Sequence, residues 1–113
     1  MSRQARGDAG EEVADDTALL ALFDVLGRRW ALRIVWELRA GAMTYRELAA
    51  KVPDMSTSVL TQRLRELRAA RLVEHERGTG YRLTSQGGEL LAHLAPLKEW
   101  AERVEFAAKP RPE

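Results

Sequence analysis

No cysteine occurs in the 113 residues, which excludes disulfides, thiolate metal ligands and cysteine-based redox sensing. Histidine is almost as scarce. His75 and His93 are the only two, and neither stands at a recognisable spacing from a serine or a carboxylate, so neither a catalytic dyad nor a metal site can be assembled. No enzymatic activity, metal or cofactor is expected. The chain also lacks an apolar run of about 20 residues and a signal peptide, so a soluble, cytoplasmic protein with no membrane partner is expected. There is no internal repeat. The length fits one small domain, which buries roughly 65% of the surface its unfolded chain would expose.

Net charge is nearly absent, at +1, but the charges are segregated. Two basic and six acidic residues from Met1 to Asp24 leave −4. Twelve basic and six acidic residues from Val25 to Arg82 leave +6, and the remainder carries −1. A basic middle draws polyanions through counterion release, while acidic ends keep off them. A general bias towards arginine would explain the residue type but not its confinement.

The basic segment contains the most informative stretch, Met43 to Leu72. Thr44, Tyr45, Arg46 and Glu47 form a Thr-x-x-Glu capping box, which predicts a helix starting at Thr44. Pro53 and Asp54 interrupt it, and Ser56 offers a cap for the next helix. On that second helix Leu60, Leu64 and Leu67 share an inner face, leaving Ser58, Thr61, Gln62 and Arg65 outside. Hydroxyl, amide and guanidinium groups near a helix N-terminus can reach base edges and phosphates. The simpler account is that they only solvate a surface helix, and the neighbouring elements argue against it.

Two short strand-like runs, Leu72 to Glu76 and Gly80 to Leu83, flank Arg77, Gly78 and Thr79 and read as a hairpin. Arg77, Thr79 and Arg82 on its tip and edges suit phosphates, although one exposed arginine in a turn says little. Helix, helix, reading helix, hairpin and a last helix is the order of a winged helix-turn-helix, a mainly α fold with a small β-hairpin wing.

Residues 1 to about 15 read as a flexible tail, 16 to 108 as the DNA-binding and dimerisation domain, and 109 to 113 as a C-terminal tail. Leu19, Leu22, Phe23 and Leu26 form an amphipathic stripe ending at Gly27. Arg28 to Ala40 is expected as a widely apolar helix, with Ala31, Leu32, Ile34, Val35, Trp36 and Leu38, acting as a central strut. Thr84 can cap a last helical region in which Leu90, Leu94, Leu97, Ala101 and Val104 continue a stripe that Pro96 should kink or divide. So much apolar surface on a small chain suggests a two-fold dimer built from the N- and C-terminal helices, through Leu19, Leu22, Phe23, Leu97, Trp100 and Val104. A cleft in it beside Trp30, Trp36 and Trp100 would suit a small apolar or aromatic effector; the plainer account of Trp30 and Trp36 is core packing.

The chain resembles the HxlR family of bacterial transcriptional regulators, winged helix-turn-helix proteins related to the MarR group. Leu26, Gly27, Arg29 and Trp30 carry the resemblance, with Tyr45 to Leu48 (YREL), Met55 to Leu67 (MSTSVLTQRLREL), and Tyr81, Leu83 and Thr84. It runs from about Leu20 to Trp100 and implies a DNA-binding dimer. Its reading helices, Ser56 to Arg65 here with Thr57 among them, would enter major grooves, and its wings, Arg77 to Arg82, would lie near the minor groove. There are three departures. The cysteine that several members use to sense electrophiles or oxidants is missing, the wing is short and lacks a proline before the tyrosine, and Arg71 stands where the family typically has glycine.

The expected function is therefore sequence-specific regulation of transcription on a pseudo-palindromic operator. Ser58, Thr61, Gln62 and Arg65 are assigned to bases and nearby phosphates, Thr44, Tyr45, Arg46 and Lys51 to the backbone, and the wing arginines to outer phosphates. A winged-helix adaptor that binds protein instead of DNA is the competing class. It is disfavoured by a net +6 segment with a hydroxyl-rich outer face.

Overall fold

A capping box, a serine cap and a threonine cap divide the chain into helices, and a computed structural model describes residues 15–106 of it. Apart from Asp15, the expected tails at 1 to 15 and 109 to 113 lie outside the described residues. Helix α1 (Thr17–Leu26) is followed by α2 (Ala31–Glu37), which tightens into a 3-10 turn at Leu38–Ala40. Then come α3 (Tyr45–Lys51), α4 (Thr57–Ala69), the strands β1 (Val73–Glu76) and β2 (Gly80–Leu83), and α5 (Ser85–Arg103).

The core is built almost wholly from α2 to β1. Ala31, Ile34, Val35 and Leu38 meet Leu48, Val52 and Met55 from the α3 region, Leu60, Leu64 and Leu67 from α4, and Leu72 and Val73 from the wing base. Burying one leucine or isoleucine fully contributes about 1.5–3 kcal/mol, so this set dominates the stability. Helix α2 is the strut its wide apolar arc predicts, touching α1, α3, α4 and α5. Two margins of that arc stay outside: Leu32 is exposed and Trp36 half-buried.

The strut is shorter than the expected Arg28 to Ala40. Trp30 takes a left-handed conformation, φ 79°, so the helix begins at Ala31. Its indole packs against the core, which sets the backbone angle at the elbow between α1 and α2. Pro96 does not divide the last helix either; α5 runs through it from Ser85 to Arg103. Ala92 and Pro96 are both exposed, so water can take the hydrogen bond that proline cannot donate.

The strands pair antiparallel, Val73 with Leu83 and His75 with Tyr81. A third segment joins them, for Met43 N–H donates to the Tyr81 carbonyl (2.9 Å) and Tyr81 N–H to the Met43 carbonyl (2.7 Å). This bridge ties the wing to the residue before α3. Gly80 lies beneath it, where any Cβ would run into the Met43 backbone.

Helix α4 ends in a Schellman turn. Leu72 N–H reaches the Leu67 carbonyl (3.0 Å), Arg71 N–H reaches Arg68 (2.9 Å), and Arg71 occupies the left-handed position at φ 64°. Glycine suits that position because it has no Cβ to crowd the following carbonyl. Arg71→Gly is therefore expected to stabilise the protein by about 0.5–1 kcal/mol, visible as a rise of a few degrees in Tm. A lower Tm would show that the arginine is unstrained.

Candidate nucleic-acid interface

The geometry of α3, the turn and α4 follows from side chains satisfying helix ends. Thr44 Oγ1 accepts from Glu47 N–H (3.0 Å) while Glu47 Oε1 accepts from Thr44 N–H (2.9 Å), completing the capping box. Ser56 Oγ accepts from Val59 N–H at 3.2 Å. Tyr45 locks the two helices together. Its hydroxyl donates to the Thr57 carbonyl at 2.9 Å, and because that uses its one proton, Thr61 Oγ1 donates to it in turn at 3.0 Å. With Leu60, Leu64 and Leu67 buried, α4 is left with Thr57, Ser58, Thr61, Gln62 and Arg65 on its exposed side.

One carboxylate organises the far half of α4. Glu66 Oε2 accepts from Gln62 Nε2 (2.9 Å) and Arg28 Nη1 (3.2 Å), and Oε1 accepts from Arg63 Nη1 (3.1 Å). The Gln62 amide, with the Arg63 and Arg28 guanidinium groups, holds the Glu66 carboxyl below the usual carboxylate range against the opposing effect of desolvation. Arg63 Nε also donates to the Arg29 carbonyl at 2.9 Å, so the cluster is anchored at the Trp30 elbow. Gln62 Oε1 accepts from Arg65 Nη1 at 3.0 Å.

Elsewhere the cations divide into paired and free. Arg82 bonds Glu74 (2.7 Å) and Glu76 (2.6 Å), while Thr79 leans on Glu76, so most of the wing's polar surface is engaged internally. Among the described residues, Arg46, Lys51, Arg68, Arg71, Arg77 and Arg103 have side chains with no ion pair or hydrogen bond of this kind, and Arg29 only stacks on Trp30. Arg46 and Lys51 lie on α3, Arg68 and Arg71 at the C-terminal end of α4, Arg77 at the wing tip and Arg103 at the end of α5.

Comparison with known proteins places this geometry in a family. The HxlR-like helix-turn-helix profile matches residues 25–108, most of the chain. The chain belongs to the HxlR-like helix-turn-helix family. It is 32% identical over 84 residues to an uncharacterised HTH-type transcriptional regulator, YvaP, of Bacillus subtilis, spanning 69% of this chain and 78% of that protein. It superposes on quinone-bound YodB of B. subtilis with a TM-score of 0.71 at 30% identity, covering 77% of this chain and 98% of that one. A MarR-family regulator of Enterococcus faecalis gives 0.71 at 26% identity, covering 92% and 94%. As an HxlR-like chain the protein is a transcriptional regulator of the helix-turn-helix class, and its named relatives are regulators, not enzymes.

In this HxlR-like fold the residues expected at a DNA surface are mostly exposed, and several also hold hydrogen bonds within the unit, Thr61, Gln62 and Arg65 among them. Ser58, Thr61, Gln62, Arg65, Arg46, Lys51 and Arg77 are exposed. Thr44, Tyr45 and Ser56 are hydrogen-bonded within the unit, and Arg82 is neutralised by two glutamates. The Arg28, Arg63 and Glu66 cluster was not legible as a site, because Arg28 lies 38 residues from Glu66 and only the Arg63 to Glu66 pair is local. Arg68 could have been found by extending the helical wheel one turn beyond Arg65.

The three tryptophans have separate surroundings within one chain. Trp30 lies under the Arg29 guanidinium (5.0 Å), Trp36 under that of Arg39 (4.4 Å), and Trp100 beside Phe106 (6.4 Å). A groove between α1 and α4 lined by Asp24, Val25, Arg28, Glu66, Ala69 and Ala70 contains none of them. The described residues include no group of three acidic or histidine side chains fit for a metal, and no helix long and apolar enough to cross a membrane.

Proposed function

We propose that the protein binds double-stranded DNA as a homodimer and regulates transcription from a pseudo-palindromic operator. Each α4 would enter a major groove, with the two half-sites about 34–36 Å apart. The observation that carries this reading is the exposed face of α4, Thr57, Ser58, Thr61, Gln62 and Arg65, in a unit whose α3, α4 end and wing tip carry exposed cations with no internal partner. Phosphate contacts would fall to Arg46, Lys51, Arg68, Arg71 and Arg77, and base contacts to Gln62 and Arg65. The engaged Arg82 makes the wing a weak phosphate binder.

The dimer would form through α1 and the distal half of α5. Leu19, Phe23, Leu97, Trp100 and Val104 are exposed on one chain, and the radius of gyration, 17.0 Å, exceeds the roughly 13 Å of a compact domain of 100 residues. Regulation by a small apolar or aromatic molecule belongs to the same reading, and the quinone-bound YodB structure supports it for a relative. Without cysteine the capture would be non-covalent. The cleft beside Trp30, Trp36 and Trp100 would need the second subunit to close it.

Fluorescence anisotropy against DNA from upstream of the protein's own gene and a scrambled duplex, over a salt series, tests this function. Tighter binding upstream with a steep loss as salt rises is the expected result. Arg65→Ala should cost about 1–3 kcal/mol on the operator and relax one base position; an equal loss on every sequence would remove Arg65 from base reading. No binding even at low salt would favour a protein-binding adaptor.

A further inference from the structure

Gln62 and Arg65 are one turn apart on an exposed helix face, where both side chains would ordinarily sample many rotamers. Here they do not stand alone. Glu66 can only accept hydrogen bonds, so the Gln62 nitrogen must face it; the Arg65 guanidinium can only donate, so the Gln62 oxygen must face Arg65. The amide orientation is set from both sides by chemistry.

That orientation has a consequence for base recognition. A free glutamine suits adenine, accepting from N6 and donating to N7, whereas donor groups side by side suit the O6 and N7 acceptors of guanine. With its oxygen turned to Arg65, Gln62 offers the remaining N–H beside the remaining guanidinium donors. The pair then presents a surface of donors.

Glu66 is itself held from outside α4. Arg28 binds Oε2 from the elbow after α1, and Arg63 binds Oε1 while its Nε is fixed on the Arg29 carbonyl. Its side chain is only 21% exposed, and its bond to Arg28 reaches the elbow. The lowered carboxyl keeps it an acceptor at neutral pH.

The geometry points to Glu66 as a specificity-positioning residue that orients Gln62 and Arg65 to read a guanine. It rests on the DNA-binding reading above. Glu66 touches no base; it acts through Gln62, and the link to Arg28 ties that orientation to the elbow of the dimerisation helix.

Selection of bound duplexes from a randomised pool, followed by sequencing, tests this with the full-length wild type, Arg65→Ala, Glu66→Gln and Arg28→Ala. The wild type should enrich a motif containing a guanine that Arg65→Ala erases. The near-isosteric Glu66→Gln should lower preference for that guanine about tenfold, with adenine gaining, while Tm moves by only a few degrees. Arg28→Ala removes an exposed outer donor and should weaken the same preference by a smaller factor, which keeps the test decisive if Glu66→Gln folds poorly. An unchanged guanine preference in both variants overturns the positioning role while DNA reading stands. A wild type that enriches no motif overturns DNA reading, and the role of Glu66 with it.

Discussion

Trp100→Glu is expected to leave the fold intact, convert the proposed dimer to a monomer, and lower affinity for a two-half-site operator by about a hundredfold or more. Trp100 is 46% exposed on the distal half of α5, outside the core that α2, α3 and α4 build. The fold of one chain therefore does not depend on it. In a two-fold interface each substitution occurs twice, so two carboxylates would be placed in an apolar seam. Each subunit keeps its own α4, so affinity for a single half-site should hardly change. Light scattering reads the mass, and anisotropy on one-half-site and two-half-site duplexes reads the coupling. A variant that remains dimeric and binds the full operator normally would move the interface away from α5.

Gly87→Ala is expected to cost about 3 kcal/mol, while the neighbouring Gly88→Ala should stabilise by about 0.5–1 kcal/mol. Gly87 is buried in the first turn of α5, where its N–H donates to the capping Thr84 Oγ1 at 3.0 Å. A Cβ there would collide with the Leu72 carbonyl oxygen, with the Leu83 side chain close behind. That carbonyl is not free to move, because it accepts from Thr84 N–H at 3.1 Å. Thr84 Oγ1 also donates to the Arg71 carbonyl at 2.6 Å, so the helix start, the wing base and the end of α4 share one joint. At Gly88 a Cβ would meet open space, and only the gain in helix propensity remains. Denaturant melts of the two variants give the comparison; equal stabilities would mean that α5 does not pass so close to Leu72.

The elements that could be read in advance are those whose ends are fixed by neighbours in the chain. Thr44 with Glu47, Ser56 with Val59, and Thr84 with Gly87 are bonds across three residues, and each falls where its sequence signature predicts. The leucine stripe of α4 and the hairpin were legible for the same reason, since side-chain period and turn residues are local properties. Trp30 shows the limit. Nothing local stops a helix from starting at Arg28; the left-handed tryptophan is held there by the core it packs against. The stripe on α5 was legible as apolar but not as two surfaces, with Leu90 and Leu94 against the chain's own core and Leu97 and Val104 exposed.

The amino-acid sequence by itself determined the helix-turn-helix, the polar outer face of α4, the basic middle, and the lack of any cysteine thiol. All of these follow from residue type and short-range spacing. Only the tertiary structure decided the Met43 to Tyr81 bridge, the neutralisation of Arg82, and the cluster joining Arg28, Arg63 and Glu66 to Gln62. The bridge and the Arg28 to Glu66 pair lie 38 residues apart in sequence, so burial of a shared core, not local preference, brings their partners together. Arg82 and the Glu66 to Gln62 bond span shorter distances, but which of several available partners each side chain takes is settled by the pairing register and by the donors that packing delivers.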